Sequence, residues 1–540
     1  MQGTSPMDGA TTQKMAPCAR ACPAGIDVPR YIRHIRLGQF SAALDVIRDR
    51  IPFPLVCGYA CFDPCETRCA RSQFDTPVAI RALKRVAAER GAEGGRSPVA
   101  LDRTGRRVAI VGSGPCGLTA AWFLALLGHS VTVFEALDKP GGMLRYGIPA
   151  YRLPDDVVEA DLCVIADAGV EIRAGERIAS VEDLLAQGFD AALVASGAWR
   201  GVPLGIPGEE RASVIDGLSF LAAVNAGDPP LLRGERVVVV GGGNTAIDAA
   251  RVSRRLGADV VQIYRRTRAD MPAHADEIAA AIEEGVAIAF LTAPVRIEEG
   301  AVTCVRMTPG PTDASGRQRP QSVAGSEHSL PADRVIVAIG QQVEIPAQSL
   351  AGRSNGTIAV DSDTLSTATP GIFAGGDAVS GPASVIDAIA HGQKAASAID
   401  RFLGGRGDLG IFAKPKRPTD HGETAPRGSS REQPATLAPA ERLRGFAPVE
   451  DAYDARSAMA EAGRCLSCDL RAFDVHVNPA VCKDCGYCKE VCRLEVFVQT
   501  TGFNAGGYRP YRAENSVACV GCLECLYVCP DFAITISTCA

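Results

Sequence analysis

The stretch from Val108 to Glu135 constrains the fold most, because a glycine-rich turn in it separates a short β-branched run from a helical apolar pattern. The turn has the spacing Gly112-x-Gly114-x-x-Gly117, and a second strand-like run ends at the acid Glu135. This order predicts a βαβ unit that binds a dinucleotide. Gly112 would permit a tight turn, Gly114 would let the backbone approach a pyrophosphate, and Gly117 would let the helix pack closely on the strand.

The helix that follows this turn would present unpaired N–H groups and its positive dipole end to the phosphates. Glu135 would accept hydrogen bonds from the ribose hydroxyls. The alternative is a glycine-rich turn in a core without function, and the acid at the end of the second strand argues against it.

A second glycine-rich turn follows the strand-like run that starts at Val237, and it opens another helical pattern. Its spacing is Gly241-x-Gly243-x-x-Ala246, the Gly/Ala variant of the same fingerprint, with Asn244 and Thr245 inside the turn. The sequence therefore predicts a second nucleotide site.

The strand after the second turn ends without an acid and continues into Arg265 and Arg266. Two guanidinium groups at this point suit a 2′-phosphate, which carries extra negative charge. We therefore predict that the second site prefers NADP(H) over NAD(H). The alternative is a solvated basic patch on a loop.

Two more segments are expected to border the first site. The loop 141–154 is dense in glycine and proline and could wrap a flat ligand, with Gly142 and Arg145 as candidate contacts. The run Gly375–Gly376–Asp377 follows a strand-like segment and precedes a helical pattern, which offers a further helix N-terminus to a phosphate or a ribityl chain.

The 20 cysteines are the outlier of the composition, and in a long chain they favour thiolates held for metal over a disulfide scaffold. Eight of them form two runs with the spacing of bacterial two-cluster ferredoxins, in which the fourth cysteine of each run serves the other cluster. One predicted [4Fe–4S] site uses Cys482, Cys485, Cys488 and Cys529, and the other uses Cys519, Cys522, Cys525 and Cys492. Zinc is the weaker alternative, because zinc ribbons use two CxxC pairs.

Six further cysteines near the N-terminus are also interpreted as iron–sulfur ligands. The last four follow one another at a spacing of four, which suits either one helix face or a knot of turns around a metal, and Pro64 favours the knot. Eight thiols, not six, would complete two cubane clusters. The six are Cys18, Cys22, Cys57, Cys61, Cys65 and Cys69.

At these motifs, residues 16–470 resemble the small subunit of NADPH-dependent glutamate synthase. The same module occurs in dihydropyrimidine dehydrogenase and in the large subunit of NADH-dependent ferredoxin:NADP oxidoreductase. The resemblance rests on C-P-A-G-I-D-V-P (22–29), the cysteines of 57–69, V-G-S-G-P-C-G-L, the loop 141–154, V-V-G-G-G-N-T-A-I-D, Y-R-R-T-R-A-D-M-P and G-I-F-A-G-G-D. Residues 476–540 resemble a two-cluster ferredoxin.

The resemblance implies FAD in the first fold, NADPH in the second and two further [4Fe–4S] clusters near the N-terminus. In the family a CxxC usually precedes the C-x-x-x-C-P pair, but here its likeness, A-G-R-C-L-S-C, follows the FAD domain. We therefore expect Cys465 and Cys468 to fold back and complete a cluster with Cys18 and Cys69. The second N-terminal cluster would use Cys22, Cys61, Cys65 and Cys57, the last replacing a Glu or Gln of some relatives where Lys84 stands here.

These features predict a multidomain chain with two Rossmann-like α/β nucleotide-binding domains, one inserted in the other, because the G-G-D element returns after the second fingerprint. The expected order is an α-helical Fe–S domain (1–100), an FAD-binding domain (101–230 and 341–403) around an NADP(H)-binding domain (231–340), a linker (404–447), a helix and CxxC (448–475), and a C-terminal α+β two-[4Fe-4S] ferredoxin domain (476–540).

The expected chemistry is electron splitting. NADPH would exchange a two-electron hydride with the flavin, while iron–sulfur clusters carry single electrons, and flavin is the cofactor that handles both. No catalytic side chain is predicted, while Arg145 and Tyr146 are expected to border the flavin. The partner would be ferredoxin or a catalytic oxidoreductase subunit in a hetero-oligomer, with a 2-oxoacid:acceptor oxidoreductase suggested by family analogy alone.

Three alternatives are considered. One is a true glutamate synthase small subunit, which the added ferredoxin module makes less favourable. A thioredoxin-reductase-like enzyme needs a CxxC in its NADPH domain, where only Cys304 occurs between 237 and 340. A carrier subunit with a vestigial nucleotide site is opposed by the intact second fingerprint.

The net charge of −6, without a strongly basic stretch, argues against a nucleic-acid partner. The sequence has no charged-then-apolar leader and no apolar run long enough for a membrane span. We therefore expect a soluble, cytoplasmic protein.

Overall fold

A computed structural model describes residues 15–92, 100–312, 318–345, 350–410, 425, 428–470 and 473–538. Part of the predicted linker, residues 411–424 and 426–427, lies outside this description. Within the described residues, every helix is too short or too polar to cross a bilayer.

Short helices make up the N-terminal module, and prolines stand in the first turn of four of them, where a missing N–H breaks no helical hydrogen bond. Residues 28–48 form two helices that are separated at Gly38, whose φ is +69°. The helices are α1 Pro17–Ala21, α2 Val28–Arg36, α3 Phe40–Arg48, α4 Pro54–Ala60, α5 Pro64–Thr67 and α6 Ile80–Gly91, with a 3-10 turn at Ala70–Gln73.

The first α/β unit is a parallel five-stranded sheet in the order β16-β4-β1-β2-β3. Helix α7 is buried throughout Cys116–Leu126, because the sheet and α15 enclose it, and it is accordingly apolar on all sides. The elements are β1 Arg107–Val111, α7 Pro115–Leu126, β2 Ser130–Phe134, α8 Met143–Tyr146, α9 Asp155–Asp167, β3 Glu171–Arg173, α10 Glu182–Ala186, β4 Ala191–Val194, β5 Arg200–Gly201, β16 Ile372–Ala374, α14 Asp377–Ser380 and α15 Val385–Phe402.

The second unit has its own parallel sheet, in the order β6-β14-β7-β8-β9, with antiparallel strands β10 to β13 beside it. Strands β5 and β15 pair antiparallel where the chain leaves and re-enters the first unit. The elements are β6 Val214–Asp216, α11 Gly217–Asn225, β7 Arg236–Val240, α12 Asn244–Arg255, β8 Asp259–Tyr264, α13 Ala275–Glu283, β9 Ala287–Phe290, β10 Thr292–Glu298, β11 Ala301–Thr312, β12 Gln318–Ser322, β13 His328–Pro331, β14 Arg334–Val337 and β15 Gln341–Gln342, with a 3-10 turn at Arg268–Asp270.

The second unit starts earlier than the boundary expected at residue 231. Strand β6 already pairs with β14 of the second sheet, with Val214 opposite Val335. A three-residue edge strand carries too little apolar periodicity to be recognised in the sequence.

The described part of the predicted linker lies across the body of the protein as an ordered strap. Leu437 N–H donates to the carbonyl of Val449, and Val449 N–H donates to Tyr151 in the first unit, at 3.0 and 3.1 Å. Arg431 forms a 2.8 Å ion pair with Glu66 of α5. The strap contains helix α16 Pro439–Arg442, and α17 Ala455–Gly463 follows it.

The last part of the chain forms a small module built from two antiparallel strand pairs and two one-turn helices. Strand β17 pairs with β20, and β18 pairs with β19. We call residues 473–538 the ferredoxin-like module. Its elements are β17 Phe473–Val477, α18 Tyr487–Val491, β18 Phe497–Gln499, β19 Tyr511–Ala513, α19 Glu524–Val528 and β20 Ile534–Thr538, with a 3-10 turn at Ser516–Ala518.

Candidate functional site: two nucleotide cavities and four cysteine sets

The first cavity, of about 550 Å³, opens at the carboxyl ends of strands β1, β2 and β4 in the first sheet. This is the edge at which open α/β sheets bind their ligands. The predicted residues that line it are Gly112, Gly114, Glu135, Gly142, Gly376 and Asp377.

The glycines of the first fingerprint have different surroundings. Gly112 has a φ of +106°, and an added Cβ would lie 2.4 Å from the carbonyl oxygen of Ala195. At Gly117 a Cβ would lie 2.1 Å from the oxygen of Gly112, whereas at Gly114 it would meet no atom within 4 Å. The backbone at Gly114 is thus open to a ligand, and Gly117 is enclosed by the turn.

Helix α7 begins at this turn without a side-chain cap, so its first N–H groups have no side-chain acceptor. Gly142 of the predicted loop closes over the turn, since its added Cβ would lie 2.9 Å from the Cα of Gly114. Together they form a backbone-lined recess suited to a pyrophosphate.

Both carboxylate oxygens of Glu135 are held in place. One accepts from the N–H and the hydroxyl of Ser113, at 3.0 and 2.5 Å, and the other accepts from the N–H of Leu137 at 2.9 Å. The carboxylate is therefore rigid at the end of β2, where a ribose would lie.

Asp377 lies at the boundary between the two cavities and lines both. Burial, together with the nearby Asp387, raises the pKa of its carboxyl to about 6, although the N–H of Ala383 donates to it at 3.2 Å. Its neighbour Gly376 has a φ of +64° and donates its N–H to Nδ1 of His391 at 3.1 Å.

Several residues that the sequence did not single out also line the first cavity, including Arg177, Ser196 and Trp199. Among the residues that the structure describes, the buried hydroxyl of Ser196 has no hydrogen-bond partner. A polar ligand would satisfy it, and the backbone recess at Gly114 would accept phosphate oxygens, so the residues present fit a dinucleotide such as FAD. Ser196 follows a buried strand in the sequence, and this position is the signal that could have identified it.

Arg145 requires a correction, because it is absent from the described residues that line the two cavities. Its side chain is buried and pairs with Asp155 and Glu159 of α9 at 2.6 and 2.7 Å, and it donates to the carbonyl of Pro140. Arg145 therefore anchors the loop to helix α9. Tyr146 instead packs edge-on against Trp199, with ring centroids 5.9 Å apart.

The second cavity, of about 1010 Å³, lies at the carboxyl ends of β7 and β8. Gly241 has a φ of +143°, and an added Cβ would lie 2.2 Å from the oxygen of Ala338, whereas at Gly243 it would meet open space. Helix α12 also begins without a side-chain cap. The predicted residues that line this cavity are Gly241, Gly243, Asn244, Thr245, Arg265 and Arg266.

The two arginines differ in their setting. Arg265 is exposed, while Arg266 is half-buried and its Nε donates to the carbonyl of Gln318 at 3.1 Å. Asn244 is also used structurally, because its side-chain oxygen accepts from the N–H of His274 at 3.0 Å. The recess fits a nucleotide phosphate, and its wall carries the guanidinium groups of Arg265 and Arg266.

The second cavity is bordered by a cysteine-bearing loop, which the sequence did not reveal. Phe62 follows Cys61, and its ring stacks on His274 at 5.4 Å and lies under the guanidinium of Arg152 at 5.2 Å. Arg152 also pairs with Asp248 of α12 at 2.8 Å. Three parts of the chain thus meet at the wall of one cavity.

The first N-terminal cysteine set contains the returning CxxC. These thiols line one small cavity, and the ion pair between Arg33 and Asp469, at 2.8 Å, holds the returning segment on α2. Burial raises the pKa of Cys18 well above its usual value, and the neighbouring cysteines raise it further. The set consists of Cys18, Cys69, Cys465 and Cys468.

The second N-terminal set surrounds Lys84 of α6, which is buried. Burial alone disfavours its charge, but the neighbouring cysteines raise the pKa of Lys84 above its ordinary value. Helices α4 and α6 approach closely enough that a Cβ on Gly58 would lie 2.6 Å from the Cα of Arg85. The set consists of Cys61, Cys57, Cys65 and Cys22.

The ferredoxin-like module contains the other two sets. Burial raises the pKa of Cys488 to about 12, with Cys485, Cys482 and Cys529 among the neighbours that add to the shift. Burial likewise raises the pKa of Cys525 to about 12, with contributions from Cys522, Cys492 and Cys519. The fourth cysteine of each run therefore lies near the first three of the other run.

Within the described residues, no three His, Cys, Asp or Glu side chains are grouped so that they could hold a single metal ion. Each of the four sets consists of cysteine thiols alone, which is the donor type that holds [4Fe–4S] clusters, so the residues present fit such clusters.

Two family models match the chain. The pyridine nucleotide-disulphide oxidoreductase model matches residues 106–392, more than half of the chain. The dihydropyrimidine dehydrogenase domain II, 4Fe-4S cluster model matches residues 11–95.

Three curated proteins illustrate the similarity. The NADP(+)-dependent formate dehydrogenase subunit beta of Moorella thermoacetica is 40% identical over 517 residues, which cover 86% of this chain and 72% of that protein. The NADPH-Fe(3+) oxidoreductase subunit beta of Geobacter sulfurreducens is 40% identical, covering 72% of this chain and 64% of that protein. The glutamate synthase [NADPH] small chain of Escherichia coli is 33% identical, covering 72% and 88%.

The matched model spans both glycine fingerprints, and the relatives confirm the resemblance to glutamate synthase small subunits. The chain therefore belongs to the pyridine nucleotide-disulphide oxidoreductase family, as an NADPH-dependent oxidoreductase of the glutamate synthase small-chain type with an N-terminal 4Fe-4S domain.

Proposed function

We propose that this chain transfers electrons between NADP(H) and a one-electron acceptor. FAD would occupy the first cavity and NADP(H) the second, and the sixteen cysteines of the four sets would hold four [4Fe–4S] clusters. The observation that carries the proposal is the common wall of the two cavities. Met143, Asp377 and Ser384 line both of them, so ligands in the two cavities would meet there.

The residues of the protein would bind the two nucleotide cofactors and orient them. The open backbone at Gly114 and the uncapped start of α7 would receive the FAD pyrophosphate, and Glu135, held rigid by Ser113, would orient its ribose. Arg265 and Arg266 would hold the 2′-phosphate of NADP(H).

When bound, the flavin supplies the conversion between a two-electron hydride and single electrons. The apolar side chains of Met143 and Val385 stand where the cavities meet and would exclude water from that point. Phe62, next to Cys61, borders the second cavity, and we propose that the second N-terminal cysteine set, which includes Cys61, accepts single electrons from the flavin.

The partner we propose is ferredoxin or a catalytic oxidoreductase subunit in a hetero-oligomer, working in the cytoplasm, where thiols stay reduced. A formate dehydrogenase is favoured by the longer alignment with the Moorella subunit, which covers 86% of this chain against 72% for the glutamate synthase chain. A 2-oxoacid:acceptor oxidoreductase is a further candidate partner, which we propose by family analogy alone. A glutamate-forming large subunit is the alternative partner.

The test is anaerobic mixing of the purified, cluster-loaded chain with NADPH or NADH, followed by ferredoxin. We expect NADPH to bleach the flavin and cluster absorbance together, and ferredoxin to restore both. The variant Cys163→Ser changes an exposed cysteine outside the four sets and should behave as the wild type. Flavin bleaching with the clusters left oxidised, or reduction of a disulfide substrate in place of ferredoxin, would contradict the proposal.

A further inference from the structure

The ferredoxin-like module contacts the N-terminal module beside one of its two cysteine sets. The thiol of Cys522 donates to Oε1 of Gln73 at 4.0 Å. Arg493 donates from Nη1 to the carbonyl of Ser72 at 3.3 Å. A thiolate at Cys522 could instead accept an N–H from the same amide, because an amide offers both functions.

Apolar packing supports the same contact. Gln73 lines a small, almost wholly apolar cavity together with four cysteines, and Val520 belongs to the buried core that the N-terminal module shares with the first α/β unit. Leu494 packs against that core and against the core of the ferredoxin-like module. We call the four cysteines of this cavity the inner set: Cys492, Cys519, Cys522 and Cys525.

On the other side of the contact stands the first N-terminal set. Gln73 ends the 3-10 turn that begins directly after Cys69, and the hydroxyl of Ser72 donates to the carbonyl of Cys69 at 2.8 Å. Within the same turn, Arg71 donates to the carbonyl of Arg464, the residue before Cys465, at 3.3 Å. One turn of chain thus separates the inner set from the set that holds Cys69.

The remaining set of the ferredoxin-like module reaches the surface at one cysteine, while its other three cysteines are buried. Cys485 is exposed, and Tyr487 and Phe532, which flank this set in the sequence, are 47% and 85% exposed. The surface ion pair between Lys483 and Asp531 lies beside it, at 3.1 Å. We call it the outer set: Cys482, Cys485, Cys488 and Cys529.

We propose that the four cysteine sets form one ordered series, in which the inner set exchanges electrons with the Cys69 set across Gln73 and the outer set is the terminus that an external one-electron carrier meets. This inference rests on the proposed function. The electrons balance, because each hydride from NADPH brings two electrons, which reduce two carrier molecules by one electron each and leave one proton in solvent.

A matched pair of variants tests the order. Cys488 and Cys525 are the third cysteines of their runs, and both are buried, so Cys488→Ala and Cys525→Ala remove equivalent ligands from the outer and the inner set. The clusters that remain are counted by iron analysis and by electron paramagnetic resonance after dithionite. The same spectra are then recorded after NADPH.

In C488A we expect NADPH to reduce the inner cluster at the wild-type rate, while transfer to ferredoxin is lost. In C525A we expect the outer cluster to be reduced by dithionite but no longer by NADPH. The opposite pattern, with the outer cluster reduced by NADPH in C525A and the inner one unreduced in C488A, would overturn the order.

A second variant keeps every cysteine, in case a ligand change removes both clusters. Arg493→Glu breaks the contact with Ser72, and Arg512→Glu is its control, since Arg512 pairs with Glu514 on the exposed side of the same module. We expect R493E to slow reduction of the ferredoxin-like clusters by NADPH about tenfold, as the loss of one hydrogen bond from a charged group would, and R512E to leave it unchanged. Equal rates in the two variants would overturn the proposal.

Failure of the order is distinguishable from failure of the proposed function. If NADPH reduces no cluster in the wild type, the proposed function fails. Chemically reduced ferredoxin can then be used as the electron source, since an outer terminus predicts that the inner cluster is reduced through it in the wild type and not in C488A. Reduction of the inner cluster by ferredoxin in C488A would overturn the order by itself.

Discussion

Replacing the two arginines of the second cavity by alanine should weaken the use of NADPH while leaving the use of NADH nearly unchanged. Arg265 and Arg266 line the cavity just after strand β8, where the 2′-phosphate of NADP(H) would lie. NADH lacks this phosphate, so the two nucleotides separate the loss of a specific contact from general damage to the site.

The exposure of the arginines sets the size of the effect. A hydrogen bond to a charged group contributes about 1.5–3 kcal/mol, and Arg265 is exposed, so we take the lower end of that range for each side chain. Each replacement should then raise the KM for NADPH about tenfold, and the double variant about 100-fold.

The assay is flavin reduction in the stopped flow with each nucleotide in turn, which does not depend on the clusters. Arg268→Ala is the matched control, because Arg268 lies in the next turn, is exposed and is absent from the described lining of the cavity. The reasoning is refuted if the double variant keeps its preference for NADPH, or if the apparent affinities for NADPH and NADH fall together.

Three further predictions follow from the geometry. Gly117→Ala, with its Cβ 2.1 Å from the oxygen of Gly112, should destabilise the flavin-free protein in a thermal melt. Gly114→Ala, whose Cβ points into open space, should leave the melt of the flavin-free protein unchanged and weaken FAD binding in a fluorescence titration. Asp75→Asn should lower the free energy of unfolding by about 3–5 kcal/mol, because Asp75 pairs with the buried Arg71 and Arg464, while Asp333→Asn at an exposed pair should change nothing measurable. Burial raises the pKa of Asp377 to about 6, so the unfolded chain loses this proton at a lower pH than the folded chain does. The free energy of unfolding of the flavin-free protein should therefore fall by about 2 kcal/mol as the pH rises from about 4 to about 6. Asp377→Asn should abolish that fall, as measured by urea titrations at each pH.

The glycine fingerprints could be interpreted from the sequence because each glycine acts locally. Gly112 and Gly241 have positive φ, and their added Cβ atoms would strike the backbone of Ala195 and Ala338, each the first residue after a neighbouring strand. The spacing of the cysteines is local information of the same kind, because cluster ligation depends on residue type and short separations, and the ligand sets derived from it stay predictions.

The direction of the Arg145 side chain could not be predicted from the sequence. A loop rich in glycine and proline indicates closeness to a ligand but not the direction of each side chain, which here is set by Asp155 and Glu159 on the following helix. The contacts of Phe62 with His274 and Arg152 join three distant parts of the chain, and no local pattern carries them.

The boundary of the second unit was missed for a related reason. Strand β6 has three residues and is recognisable only through its pairing with β14, more than 100 residues later in the chain. The sequence predicts a linker over 404–447 because this stretch is rich in glycine, proline, serine and charge. In its described part, however, Arg431 pairs with Glu66 of the N-terminal module, and Leu437 donates to Val449, which in turn donates to Tyr151.

The most direct test of the central claim is a single-turnover reduction of the cluster-loaded chain by NADPH under anaerobic conditions, followed by electron paramagnetic resonance. The account predicts that NADPH yields cluster signals from both the N-terminal sets and the ferredoxin-like module, and that added ferredoxin removes them. A flavin that is reduced by NADPH while every cluster stays oxidised, although dithionite reduces them, would contradict it.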